Sequence, residues 1–281
     1  MKTQMKIFRK TIPFLLAGLL VISLINCKGN KQEGNTEGSA VESALDKEEI
    51  EQKVRDVVYP LPTAFEVTEM INKIEASFII GLTNPTSNVD KYFTDKDQAL
   101  NLGIYSADLS YASTYQIKQE VMNFMDASQL LIMELDITGA FSKEFIDEVE
   151  ANINNKDLLI DLITNSFYDT YEYLVKSKKE DLSLLVVTGS WIEALYISCN
   201  ISETVYDNPE FVNIILHQKT SLNKLIDLLT PHNEHETIKS LLNDLKPIKE
   251  VYDSVDETGI TVEQLDQIKS KISDLRNQIV A

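Results

Sequence analysis

The chain has 281 residues, 44 acidic against 26 basic, with a formal charge of −18 at pH 7. A surface this acidic repels phosphate backbones and anionic headgroups, which argues against nucleic acid as a partner and against a body lying flat on a bilayer. Hydrophobic residues make up 43 % of the sequence, enough for one large folded domain or two small ones.

The chain opens on Lys2, Lys6, Arg9 and Lys10, and an uncharged stretch rich in Ile, Leu, Val and Phe runs from Thr11 to Asn26. Its 16 residues fall short of the ~20 that a membrane-spanning helix needs. Residues 1–26 therefore read as a signal peptide. The stretch ends Leu24-Ile25-Asn26-Cys27, with Asn26 where Gly, Ala or Ser is usual, and it resembles the lipobox of bacterial lipoproteins. That resemblance implies cleavage before Cys27, lipid on its thiol and a palmitate-type acyl anchor in the membrane of the cell envelope. Lys28, not aspartate, follows the cysteine, which by resemblance to bacterial sorting rules favours the outer membrane. Loss of 1–26 removes four basic and no acidic residues and takes the charge from −18 to −22.

Residues 27–44 are the lipidated cysteine and a tether with Gly29, Gly34, Gly38, Ser39 and Ser43, whose 17 residues after Cys27 reach roughly 20–25 Å. The folded body is expected over 45–281. Its hydrophobic period is helical almost throughout, which predicts an all-α, antiparallel multi-helix bundle of about nine to eleven helices. The helices are expected near 45–58, 63–80, 95–113, 115–136, 142–153, 156–177, 181–205, 209–229, 231–245, 247–256 and from 261 onward. Proline and glycine set these bounds, at Pro60, Pro62, Pro85, Pro209, Pro231 and Pro247 and at Gly81, Gly139 and Gly259. Asn208-Pro209 and Thr230-Pro231 read as N-cap and first-turn pairs, and Thr261 with Gln264 as a capping box. The helix opened by Thr261 carries Leu265, Ile268, Ile272, Leu275 and Ile279 on one stripe. Cys199, the only cysteine besides Cys27, lies in an apolar helical stretch and reads as a core residue, so no intramolecular disulfide is expected once Cys27 is acylated.

Two windows break the amphipathic pattern. Between Asp97 and Lys118 the only charged residue is Asp108, and between Asp181 and Glu203 the only one is Glu193. A helix apolar on nearly every side is a central helix. Each window carries a glycine inside its helical pattern, Gly103 and Gly189, at about 1 kcal/mol relative to alanine, and close helix–helix approach is the expected compensation. Both windows read Gly-x-aromatic, and the glycines are 86 positions apart, which raises an ancient internal duplication into two pseudo-repeated units. An ionised acid buried without a partner is costly. Asp108 and Glu193 are therefore expected either to pair with a nearby base or hydroxyl, or to line one shared pocket with Tyr105 and Trp191 as candidate ligand-binding residues. Length alone would let 182–201 span a membrane, but Glu193 and Asn200 argue against it.

Other constellations carry less. His232 and His235, three apart with Glu234 and Glu236, are weak metal candidates, since a polar first helical turn is expected there anyway. His217 stands alone, and Tyr168, Tyr171 and Tyr173 read as core or interface packing on one amphipathic helix. No Glu-x-x-His pair, phosphate loop or GxSxG occurs. The segment Gly103-x-Tyr105-x-x-Asp108 resembles the GxHxxE motif of imelysin-like lipoproteins, with Tyr for His and Asp for Glu, whereas Gly189-x-Trp191-x-Glu193 does not keep its spacing. That resemblance implies a metal ion or haem as cofactor, and the whole chain is similar to all-helical lipoproteins of Bacteroidota-type bacteria. The lead expectation is a non-enzymatic envelope lipoprotein, held to the bilayer through Cys27, that acts as a helical binding or scaffolding module for other envelope proteins and has no cofactor. The alternative is a metal-, haem- or small-ligand-binding protein with its site between the helices carrying Asp108 and Glu193.

Overall fold

The structure, a computed structural model, describes residues 64–140, 142–201, 208–256 and 259–281. The signal peptide, Cys27, the tether, the helix expected at 45–58, Pro60 and Pro62 lie outside these residues, as do 202–207 at the end of the helix expected over 181–205. The described residues form nine α-helices: α1 (Ala64–Lys73), α2 (Asp95–Thr114), α3 (Lys118–Glu134), α4 (Lys143–Asn152), α5 (Lys156–Lys176), α6 (Glu180–Asn200), α7 (Pro209–Leu229), α8 (Glu236–Asp253) and α9 (Val262–Val280). Three short 3-10 turns, Thr86–Lys91, Thr138–Ala140 and Thr230–His232, complete the set, and no strand occurs among the described residues. The protein is an all-α helical bundle.

Its centre is the pair α2 and α6, and both are the charge-poor windows of the sequence. Sixteen of the 20 residues of α2 and 16 of the 21 of α6 are buried, so neither has a solvent face. Helices α1, α3, α5 and α9 pack around α2, and α1, α5, α7 and α9 around α6. Among the described residues α6 is the one helix long and apolar enough to cross a membrane, and 89 % of its apolar window is buried against the rest of the protein. Cys199 on α6 is buried, and burial pushes its thiol up to about 12.

The two helical glycines sit where α2 and α6 touch. A Cβ on Gly103 would lie 2.0 Å from the Val186 carbonyl oxygen, and one on Gly189 would lie 2.0 Å from the Leu100 carbonyl oxygen. The contacts are reciprocal, each glycine meeting the residue three positions before the other. Only a residue without a side chain allows backbone to meet backbone this closely.

Caps follow side-chain chemistry. Thr94, Ser142, Asn155 and Asn208 each accept a backbone N–H of the first turn, and Thr261 and Gln264 form the expected capping box. The helix stops are less legible in sequence. Glu75, Gln116, Asp136 and Lys178 adopt φ between 52° and 60°, a conformation expected of glycine. At Gln116, Asp136 and Lys178 the two backbone bonds of a Schellman motif close the helix, for example Lys179 N–H to the Leu174 carbonyl and Lys178 N–H to the Val175 carbonyl. The expected stops at Gly81 and Gly259 do show positive φ, whereas Gly139 lies inside a 3-10 turn under the ring of Tyr173.

Three expected bounds need correction. Pro247 does not end a helix; it lies inside α8, because the stripe Ile238, Leu241, Leu245, Ile248 and Val251 stays buried through it and outweighs the lost hydrogen bond. Thr230-Pro231 opens a 3-10 turn, and α8 starts only at Glu236 with His235 at the N-cap position. The helix expected over 63–80 ends at Lys73, and residues 76–92 instead run as a strap along α2.

The strap explains Tyr105 and Tyr111 of α2 and Tyr115 at its C-cap. Tyr115 OH donates to the Ala76 carbonyl, Ile79 N–H donates to Tyr111 OH, and Tyr105 OH donates to the Pro85 carbonyl. Gln98 closes the series by donating to the Tyr92 carbonyl. A segment with no α-helix or sheet and only one 3-10 turn needs partners for its buried backbone groups, and side chains of α2 and its C-cap supply them.

Candidate functional site

Asp108 lies on α2 five residues past Gly103, and Glu193 on α6 four residues past Gly189. The close glycine contact brings both carboxyls into one buried cluster, where each is 0 % exposed. The third member is Arg276 of α9, 6 % exposed. Its Nε donates to Glu193 Oε2 at 2.9 Å and its Nη2 to Oε1 at 3.0 Å, a bidentate ion pair. The guanidinium also lies 4.6 Å from the ring centroid of Tyr196.

Asp108 takes no direct hydrogen bond from Arg276. Its Oδ2 accepts the backbone N–H of Asn84, at 3.0 Å, and Oδ1 accepts no hydrogen bond. Burial pushes the Asp108 carboxyl well above its usual range, and the charge of Glu193 pushes it further, while Arg276 and the Asn84 N–H pull it back. Burial also raises Glu193, which Arg276 opposes directly. With two buried acids beside one cation, a proton is favoured on Asp108, the acid that Arg276 does not bond directly.

A polar network continues from this cluster. Asn84 Nδ2 donates to Tyr92 OH at 3.0 Å and to Asn101 Oδ1 at 3.3 Å, and Asn88 donates to Asn84 Oδ1 at 2.9 Å. Asn101 Nδ2 reaches the Ile279 carbonyl at 3.1 Å, which ties the end of α9 to α2. Tyr105 stands at the rim, with its ring beside Tyr92 and Phe124, and burial with the neighbouring Tyr92 raises its phenol. The arrangement is a lock that joins the strap, α2, α6 and α9 through one ion pair, the Asn84 N–H held by Asp108 and a set of amides.

Of the residues singled out in the sequence, Tyr105, Asp108 and Glu193 converge. Trp191 does not join their hydrogen-bond network: it is buried, its Nε1 has no partner, and two residues along a helix turn it far around from Glu193. His232 and His235 meet elsewhere, at the first turn of α6, where their Nδ1 atoms lie 3.3 Å and 3.1 Å from the two oxygens of Asp181. His232 Nε2 is 3.9 Å from Glu180. The two rings tie the turn before α8 to α6, and among the described residues no group of three or more His, Cys, Asp or Glu is placed to hold a metal ion. His217 is exposed, with its Nδ1 at 2.7 Å from the Asn213 carbonyl. Tyr168 and Tyr171 are core residues, and Tyr173 faces a surface groove.

Arg276 and Asn84 were not anticipated. The signal for Arg276 is compositional: arginine occurs only at positions 9, 55 and 276, and the last falls four residues after Ile272 on the apolar side of its helix. A cation held inside an apolar stripe points to a buried acid elsewhere.

The raised Asp108 carboxyl has a measurable consequence. Burial and the charge of Glu193 hold the Asp108 carboxyl well above the pH ~3.9 at which an unfolded aspartate ionises. A group raised on folding contributes stability that is complete below the unfolded value and is lost as pH rises toward the folded one. Asp108→Asn keeps an acceptor for Asn84 and a donor for Glu193 without a titrating proton. The variant should gain on the parent protein by up to about 1.4 kcal/mol per pH unit above pH ~4. Urea unfolding at stepped pH reads this directly, and parallel curves for the two proteins would show that Asp108 is ionised.

Comparison of the chain with protein-family models, with curated proteins and with solved structures finds no match.

Proposed function

We propose that the protein is a lipid-anchored envelope protein, held through Cys27 and most consistent with the outer membrane, whose helical body is a non-enzymatic binding or scaffolding module. The observation that carries the non-enzymatic part is the lock itself. The two acids that stand out in the sequence are used internally, one by Arg276 and one by the backbone N–H of Asn84, and both are 0 % exposed. The lipobox-like run before Cys27, the tether after it and the acidic composition support a body that stands off the bilayer. The reciprocal glycine contacts support a duplicated origin in which α2 and α6 are equivalent members.

Two measurements test the proposal. Palmitate labelling in cells is expected for the parent protein and lost in Cys27→Ala; unchanged labelling in the variant sinks the anchor. Elemental analysis of purified protein is expected to find no stoichiometric metal. A metal or haem bound one to one and lost in Asp108→Asn would establish the alternative, a ligand site between α2 and α6.

A further inference from the structure

A groove of about 350 Å3 opens on the far side of α5, between that helix, α4 and the 3-10 turn at Thr138–Ala140. Its size falls within the range of small-molecule sites. It shares no residue with the Asp108–Glu193–Arg276 lock.

Three features of its wall point to one chemistry. The first is charge. Glu172 pairs with Lys176 one turn along α5, so those two charges cancel. Asp169 has no ion-pair or hydrogen-bond partner among the described residues; partial burial raises its carboxyl, Glu172 adds to that, and Lys176 acts on it only from a distance. The groove is left with one uncompensated negative charge. The second is aromatic surface. Phe145 and Tyr173 both line the groove, and Tyr173 lies across Gly139, where a Cβ would come within 2.4 Å of its ring. The third is an acceptor: Ser166, a buried residue of the wall, spends its proton on the Ile163 carbonyl and offers only lone pairs.

We infer that this groove binds a small organic ammonium. An ammonium is attracted by the lone carboxylate, is favoured beside aromatic rings, and donates to the free lone pairs. A carboxylate or phosphate ligand would meet Asp169 with like charge and no free cation to offset it. The acidic surface as a whole raises the local concentration of cations around the groove.

The test is an NMR titration of the purified protein with methylammonium and tetramethylammonium chlorides in a constant 0.3 M background of salt, chosen to screen diffuse attraction. Saturable shifts of the Tyr173 ring are expected for the parent protein. Affinity should fall about tenfold or more in Asp169→Asn and in Tyr173→Leu, a loss of ~1.4 kcal/mol. It should stay unchanged in Glu263→Gln, which removes an exposed acid on α9. Far-UV circular dichroism checks that each variant is folded. Gly139→Ala, which forces the Tyr173 ring to move, should weaken binding as a second variant on the opposite wall. Shifts that do not saturate, that persist in Asp169→Asn, or that a neutral polyol such as glycerol reproduces would each overturn the assignment.

Discussion

Replacing Arg276 with methionine is expected to destabilise the protein by about 3–5 kcal/mol, the usual cost of leaving one member of a buried ion pair alone. Methionine fills much of the arginine volume, so the loss reports charge and hydrogen bonding more than a cavity. Glu193 would be left with its carboxylate 0 % exposed and both guanidinium bonds gone. Adding Glu193→Gln to Arg276→Met should recover more than half of the loss, because the uncompensated charge is removed while an acceptor for the Asp108 proton is kept. Urea unfolding of the two single variants and the double measures all three. A cost below ~1 kcal/mol for Arg276→Met would place the pair in solvent-like surroundings and sink the description of it as a buried lock.

The same cluster marks where the sequence was legible. Asp108 and Glu193 stood out because each is the lone charge in a window of about 20 apolar, small and aromatic residues, and a charge on a central helix needs a reason. Their meeting depended on the register of α2 against α6, which two glycines 86 positions apart hint at but do not fix. Arg276 lies 83 residues downstream of Glu193 and belongs to an amphipathic pattern that is complete without it. Patterns that repeat along one helix can be read from the chain; a contact between three helices depends on how they are rotated.

Local chemistry divides the same way. Asn208 and Thr261 cap their helices as expected, because the capping group is a few residues from the N–H that it serves. Pro247 misled because a local rule met a nonlocal demand: α8 keeps its buried stripe in register across the proline. The strap misled for a related reason. Phe78 and Ile79 extend the apolar pattern of α1, yet Glu75 breaks the helix and the tyrosines of α2 take up the strap backbone. Those tyrosines read as ordinary apolar bulk on a central helix; their hydroxyls acquire a role only once a loop lies against them.

Alanine at either helical glycine is expected to cost about 3 kcal/mol, opposite in sign to the gain of ~1 kcal/mol that glycine to alanine brings in an exposed helix. The new methyl of Gly103→Ala would stand 2.0 Å from the Val186 carbonyl oxygen and 2.7 Å from the Ser190 nitrogen. That of Gly189→Ala would stand 2.0 Å from the Leu100 carbonyl oxygen and 3.2 Å from its Cα. These neighbours are backbone atoms inside helices, so no rotamer change relieves the overlap and α2 and α6 must part. Parting them also stretches the Asp108–Glu193–Arg276 cluster, since its two acids ride on the same helices, so the penalty exceeds simple overpacking. The double variant should cost clearly less than the two single costs added together, because separation forced by the first methyl makes room for the second. Chemical unfolding of the three variants gives the cycle. Either single alanine variant matching or exceeding the parent in stability would mean that α2 and α6 do not rest backbone to backbone.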